Sequence, residues 1–174
     1  MLLKIRMNFF YAFALLISIN FLSAQNIVNG SVAPIVNEND TLPPLRFFTV
    51  SDSTLFTASM LDTAKPTLIF YFSTTCSYCE AMLKEFFYSP DKLKDLNVLL
   101  VSAHKRANIR QMLSPYDAVK TSFTILKDDE HNMHRQFNYD GVPMLRVYNK
   151  NKKLIFRHEG KMTLANLLKT TAVQ

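Results

Sequence analysis

The sequence predicts an α/β domain in which helices flank a mixed central sheet, with an extra hairpin on its N-terminal side. Three observations carry this. Thr67 to Phe72 is an unbroken aliphatic and aromatic run, the pattern of an interior strand covered on both faces. A helical stripe follows at once, with Cys79, Met82, Leu83 and Phe86 on one face and Glu80, Lys84 and Glu85 turned elsewhere. Strands and helices then alternate before an antiparallel hairpin and a last helix, which makes the sheet mixed. The 174 residues are 48% hydrophobic and 20% charged, which excludes fibrous and low-complexity chains, and two cysteines exclude a framework of disulfides.

Residues 1–24 read as a secretory signal. Lys4 and Arg6 precede an uncharged apolar run from Phe9 to Leu22, and Leu22-Ser23-Ala24 supplies a cleavage site after Ala24. The run is shorter than the ~20 residues of a membrane span, so a retained anchor is the weaker alternative. Export to a periplasmic or extracellular compartment is therefore expected. Residues 25–44 form an extended lead-in, polar and rich in turn residues, and residues 45–174 form the domain.

Within the domain, Phe47 to Val50 and Leu55 to Thr57 flank Ser51-Asp52-Ser53 as an edge hairpin. Val98 to Val101 is a second buried strand, followed by a polar helix over Arg106 to Leu113 that ends near Ser114-Pro115. Phe123 to Leu126 is a short strand and Asp129 to Phe137 a brief helix, closed by the Asp140-Gly141 turn. Val142 to Tyr148 and Leu154 to Arg157 form a hairpin across Lys150-Asn151-Lys152. Met162 to Ala172 closes the chain as a helix with Leu164, Leu167 and Leu168 on one face. No internal repeat is visible.

The net charge of +6 falls when Lys4 and Arg6 leave with the signal. Lys150, Lys152, Lys153 and Arg157 cluster at a turn, where solvated charge is ordinary. With no recognition motif, nucleic acid is not an expected partner.

Chemistry centres on Cys76-Ser77-Tyr78-Cys79, directly after the buried strand and at the opening of the amphipathic helix. Unpaired amides and the positive end of the helix dipole favour a thiolate there, and only the thiolate attacks disulfides. Ser77 and Glu80 could instead form a capping box and start the helix at Tyr78; either way Cys76 lies at its first turn. Cys79 shares the apolar stripe and should be shielded, whereas Cys76 precedes it and should be accessible. Cys76 is thus the expected attacking residue and Cys79 the resolving one.

Two other readings of these residues are weaker. A purely stabilising bridge closing so small a ring gains only about 2 kcal/mol and leaves its position at the strand-to-helix junction unexplained. A metal site of Cys76, Cys79, His131 and His134 requires a spacer far longer than that of a zinc finger, with both histidines in a polar helix. No metal and no cofactor are expected. The second signal is Gly141-Val142-Pro143 ahead of the apolar run from Met144 to Tyr148, with Pro at a strand start where it need not donate.

Strand, Cys-x-x-Cys at a helix start, then Gly-Val-Pro before a hairpin and closing helix resembles the thioredoxin-like superfamily. The exported start and the hairpin over Phe47 to Thr57 resemble its TlpA-type thiol-disulfide oxidoreductases, over roughly Leu42 to Gln174. The resemblance implies a thioredoxin-like fold, a cis Pro143 packed against the cysteines, and a Val142 backbone that pairs with a partner peptide as an added strand. It places Tyr78, with Ser77, in the dipeptide that tunes redox poise, and makes Tyr78, Val142 and Pro143 the partner-contact set. The implied partners are protein dithiols and disulfides and an upstream redox protein, with reduction of partners the expected direction. Two positions depart from the family pattern: Thr75 stands where Trp often precedes the first cysteine, and Phe70 where thioredoxin carries a buried acid. Two alternatives follow from the same superfamily. A thiol peroxidase fits Ser73 and Cys76 but has Ile69 in place of its proline. The other is a non-enzymatic binding or metal-delivery module, though the superfamily's copper chaperones usually have three residues between their cysteines, against two here.

Overall fold

The structure is a computed structural model of the 174-residue chain, and it describes residues 41–116 and 123–171. The expected signal, and the expected lead-in up to residue 40, lie outside the described residues.

Seven strands form one mixed sheet in the order β2-β1-β5-β4-β3-β6-β7. The strands are β1 (Arg46–Thr49), β2 (Leu55–Thr57), β3 (Thr67–Tyr71), β4 (Asn97–Ser102), β5 (Thr124–Lys127), β6 (Met144–Tyr148) and β7 (Leu154–Glu159). β3, β4 and β5 run parallel, and β6 joins the other side of β3 in the antiparallel sense. β1 and β2 form the expected hairpin at one edge, with Phe47 opposite Phe56. The helices are α1 (Ser77–Tyr88), α2 (Arg106–Leu113), α3 (Asn132–Gln136) and α4 (Leu164–Thr171).

The unbroken apolar run of β3 is explained by two cores. Leu68, Phe70 and Phe72 enter one core with Met82, Leu83, Phe86, Leu145 and Leu167, while Ile69 and Tyr71 enter the other with Phe47, Val101, Met133 and Met144. Side chains alternate across a strand, so only a strand covered on both faces needs apolar residues at every position. Phe70 is wholly buried and sits near Phe72 and Phe86, with ring centroids 6.0 and 5.3 Å away.

Several boundaries differ from those predicted, each for a local reason. α1 starts at Ser77 because Cys76, not Ser77, is its N-cap, so the Ser77–Glu80 capping box does not form. α3 is shorter than the Asp129 to Phe137 segment expected to be helical. The Asp128 carboxylate caps the amides of Asn132 and Met133 at 2.7 and 2.9 Å, and His131 before them is left-handed with φ 53°. α4 begins at Leu164 rather than Met162, where Glu85 on α1 accepts the Leu164 amide at 2.7 Å. β6 begins at Met144, after the proline, which has no N–H for the ladder.

Truncation of Phe70 to alanine should cost about 3–5 kcal/mol, because it removes a fully buried ring from the centre of a core whose neighbours are themselves held by the sheet and α1. Denaturant unfolding measures this; a loss below about 1 kcal/mol would show that the site collapses and that β3 is not the packing centre.

Candidate active site

β3 and β4 are parallel neighbours, so the segments leaving them emerge side by side at one end of the sheet. The Phe72 amide still bonds to the Val101 carbonyl at 2.9 Å, after which the chain turns through Ser73-Thr74-Thr75. Ser73 Oγ lies 2.9 Å from Thr75 Oγ1 and accepts the Thr75 amide at 3.2 Å. His104, just beyond β4, spans this turn: its Nδ1 is 2.7 Å from Thr74 Oγ1 and its Nε2 3.1 Å from Ser73 Oγ. The sequence reading missed His104. The signal for it was the pairing of two adjacent parallel strands, whose carboxyl ends are where α/β folds gather their sites.

Cys76 follows in an extended conformation (φ −98°, ψ 110°), and α1 begins one residue later. Its Sγ accepts the Cys79 amide at 3.0 Å, so a sulfur does the work that Ser, Asp or Asn does at an ordinary N-cap. Cys76 and Cys79 form a disulfide, with Cα atoms 5.2 Å apart. Cys79 is wholly buried against the Met82, Leu83 and Phe86 face, while Cys76 is half-buried. This asymmetry follows from the helix: a residue on the core stripe is covered, and the cap residue stands before it.

Opposite the pair, the Val142–Pro143 peptide bond is cis, Pro143 is buried and Val142 half-buried. The Val142 carbonyl oxygen lies 3.8 Å from Cys76 Sγ. Tyr78 is 56% exposed, the first-turn side chain facing solvent beside the disulfide. The structure thus brings Cys76, Cys79 and Val142 together, with Tyr78 outward at the same helix start. Phe70, the position of thioredoxin's buried acid, lies in the core with Cys79, and Glu80 is exposed. His131 and His134 are exposed at the start and within α3, and among the described residues no three side chains of metal-binding type converge.

The arrangement is an accessible sulfur at a helix start, a buried sulfur one turn on, and a backbone carbonyl across from them. Such a pair can accept or donate two electrons without a cofactor.

Comparison with known proteins agrees with this geometry. Among solved structures, the chain matches a protein from Chlorobium tepidum, named as a candidate thiol:disulfide interchange protein DsbE. The identity is 17%, the match covers 79% of this chain and 97% of that one, and the TM-score is 0.66. A secreted disulfide oxidoreductase of Mycobacterium tuberculosis matches at 16% identity over 75% of this chain and 96% of that one, with TM-score 0.62. The exposed lipoprotein thioredoxin of Streptococcus pneumoniae matches at 19% identity over 76% and 100%, with TM-score 0.63. No curated protein matches the chain in sequence. At these identities the likeness is one of fold. Family membership comes from the sequence: residues 57–172 match the family model of the thioredoxin-like domain, a span that runs from β2 through α4 and contains both cysteines and Pro143, and the chain belongs to that family.

Proposed function

We propose that the chain is an exported thiol-disulfide oxidoreductase that exchanges disulfides with partner proteins through Cys76 and Cys79, working as a reductant. The observation that carries this reading is the Cys79 N–H donated to Cys76 Sγ at the first turn of α1. In the reduced protein the same amide and the helix dipole behind it stabilise a Cys76 thiolate over a thiol.

The cycle balances in two displacements. The Cys76 thiolate attacks one sulfur of a partner disulfide, and the partner's other sulfur leaves as a thiolate and takes a proton. Cys79, losing its own proton, then attacks Cys76 Sγ; the Cys76–Cys79 disulfide forms and the partner's first sulfur leaves and is protonated. The partner gains two electrons and two protons, and an upstream dithiol restores the chain by the reverse steps. The Val142 backbone receives the partner as an added strand, with Pro143 and Tyr78 beside it.

Export is supported by the charged, apolar and small-residue zones of residues 1–24, with 25–44 as the lead-in and 45–174 as the working domain. The Mycobacterium relative is called secreted and the Streptococcus one an exposed lipoprotein. Among the described residues no helix is long and apolar enough to cross a membrane. The destination is the periplasm or the extracellular space, with membrane attachment only where the first segment is kept.

Cys76→Ser should lower exchange activity by a factor on the order of a thousand or more, toward the uncatalysed rate, because the one cysteine left, Cys79, is wholly buried and out of a partner's reach. Turnover equal to wild type would reassign the pair to a binding role. Cys79→Ala should instead leave Cys76 joined to its partner, visible as a reducible high-mass adduct after thiol trapping in cells; the absence of any adduct would argue against protein disulfides as substrates.

A further inference from the structure

β6 carries a cation where a covered strand normally carries an aliphatic residue. Arg146 is 5% exposed, between Leu145 and Val147 and on the face of Met144 and Tyr148. A buried guanidinium is costly, and a well-packed apolar residue generally serves stability as well or better. Stability alone therefore does not account for it. Its contacts point elsewhere. Nη2 donates to the Asn138 carbonyl at 2.6 Å and to Glu159 Oε1 at 2.9 Å, and Nη1 to the carbonyls of Leu145 and His158 at 2.9 and 3.4 Å. Glu159, on β7, accepts the Asp140 amide on its other oxygen at 2.7 Å. The Pro143 carbonyl in turn accepts the Gly160 amide at 2.8 Å. Burial works to raise the Glu159 carboxyl, but the Asp140 amide and Arg146 outweigh it and hold it below its ordinary range. It is therefore ionised at neutral pH.

These bonds grip the segment that ends at Val142, and none of them reaches a sulfur. We infer that Arg146 and Glu159 are a positioning pair that fixes residues 138–142 and so presents the Val142 backbone to an incoming protein disulfide, governing recognition of extended partner chains and not the sulfur chemistry. The inference rests on the exchange reading above.

The test uses the full chain, reduced, with insulin as a protein disulfide and dithiobis(nitrobenzoate) as a small one. Glu159→Gln should raise KM for insulin about ten-fold with kcat within about two-fold, because a misplaced docking edge weakens binding of the longer substrate. The rate of the folded protein with the small disulfide should stay at the wild-type value, while the thermal midpoint falls, because Arg146 keeps its buried charge without a carboxylate beside it. Amide hydrogen exchange at residues 140–142 should quicken in the same variant. Arg146→Lys, which keeps the charge but loses the fork to Asn138 and Glu159, should give the same pattern and serves if the first variant does not fold. An unchanged KM for insulin, or equal slowing with both substrates, would overturn the inference. If wild type exchanges neither substrate, the exchange reading fails on its own. Hydrogen exchange then still decides the pair's role: unaltered protection at 140–142 in Glu159→Gln removes it.

Discussion

Everything at this site depends on where α1 begins. A helix leaves its first amides without partners, and here one of them, that of Cys79, is given to a sulfur. The start cannot slip, because both sides of the junction are fixed by burial. Behind it, β3 is covered on both faces by the two cores; ahead of it, Cys79, Met82, Leu83, Phe86 and Phe87 are locked against the sheet. Moving the helix start by one residue would rotate that stripe by about a quarter of a turn and take Cys79 out of the core. Packing therefore sets the electrostatic environment of Cys76, even though among the described residues no charged side chain is hydrogen-bonded to its sulfur.

The same logic places the two cysteines in different surroundings. Burial shields Cys79, while Cys76 stands half-buried at the cap. In the proposed function, this pair reacts outward through Cys76 and closes inward through Cys79. The second half of the site comes from a distant part of the chain: β6 pairs with β3 in the antiparallel sense, which returns the Gly141-Val142-Pro143 segment to the end of the sheet where α1 starts. Parallel β4 delivers His104 to the turn that leads into Cys76. Three strand ends thus converge on the turn and helix start that hold Cys76, and each is held by ladder hydrogen bonds to its neighbour.

Much of this was legible in the chain itself, because the signals were strong and local. An apolar run of period one followed by a stripe at helical spacing is hard to read as anything but a buried strand feeding a helix, and the cysteines fall on that boundary. The partition into accessible Cys76 and shielded Cys79 followed from the stripe alone. What escaped depends on contacts distant in sequence. His104 matters only because β3 and β4 lie side by side, and Arg146, inside the run from Met144 to Tyr148, has a visible partner only once β6 pairs with β7 and brings Glu159 beside it. The start of α3 was misread because Asp128, the cap, precedes the first residue assigned to the helix and its carboxylate reaches four and five residues ahead. Caps are short-range in space but have several equivalent candidates in a polar stretch, so spacing alone does not choose among Asp128, Asp129 and Asn132.

The most direct test of the account is the ionisation of Cys76 in reduced protein, followed by its alkylation rate as a function of pH with Cys79 replaced by serine. A cap-stabilised thiolate predicts a midpoint at least about one unit below the ordinary thiol value of roughly 8.5, with rapid alkylation at neutral pH. A midpoint at or above that ordinary value would mean that the first turn of α1 does not stabilise the sulfur, and would contradict the account at its base.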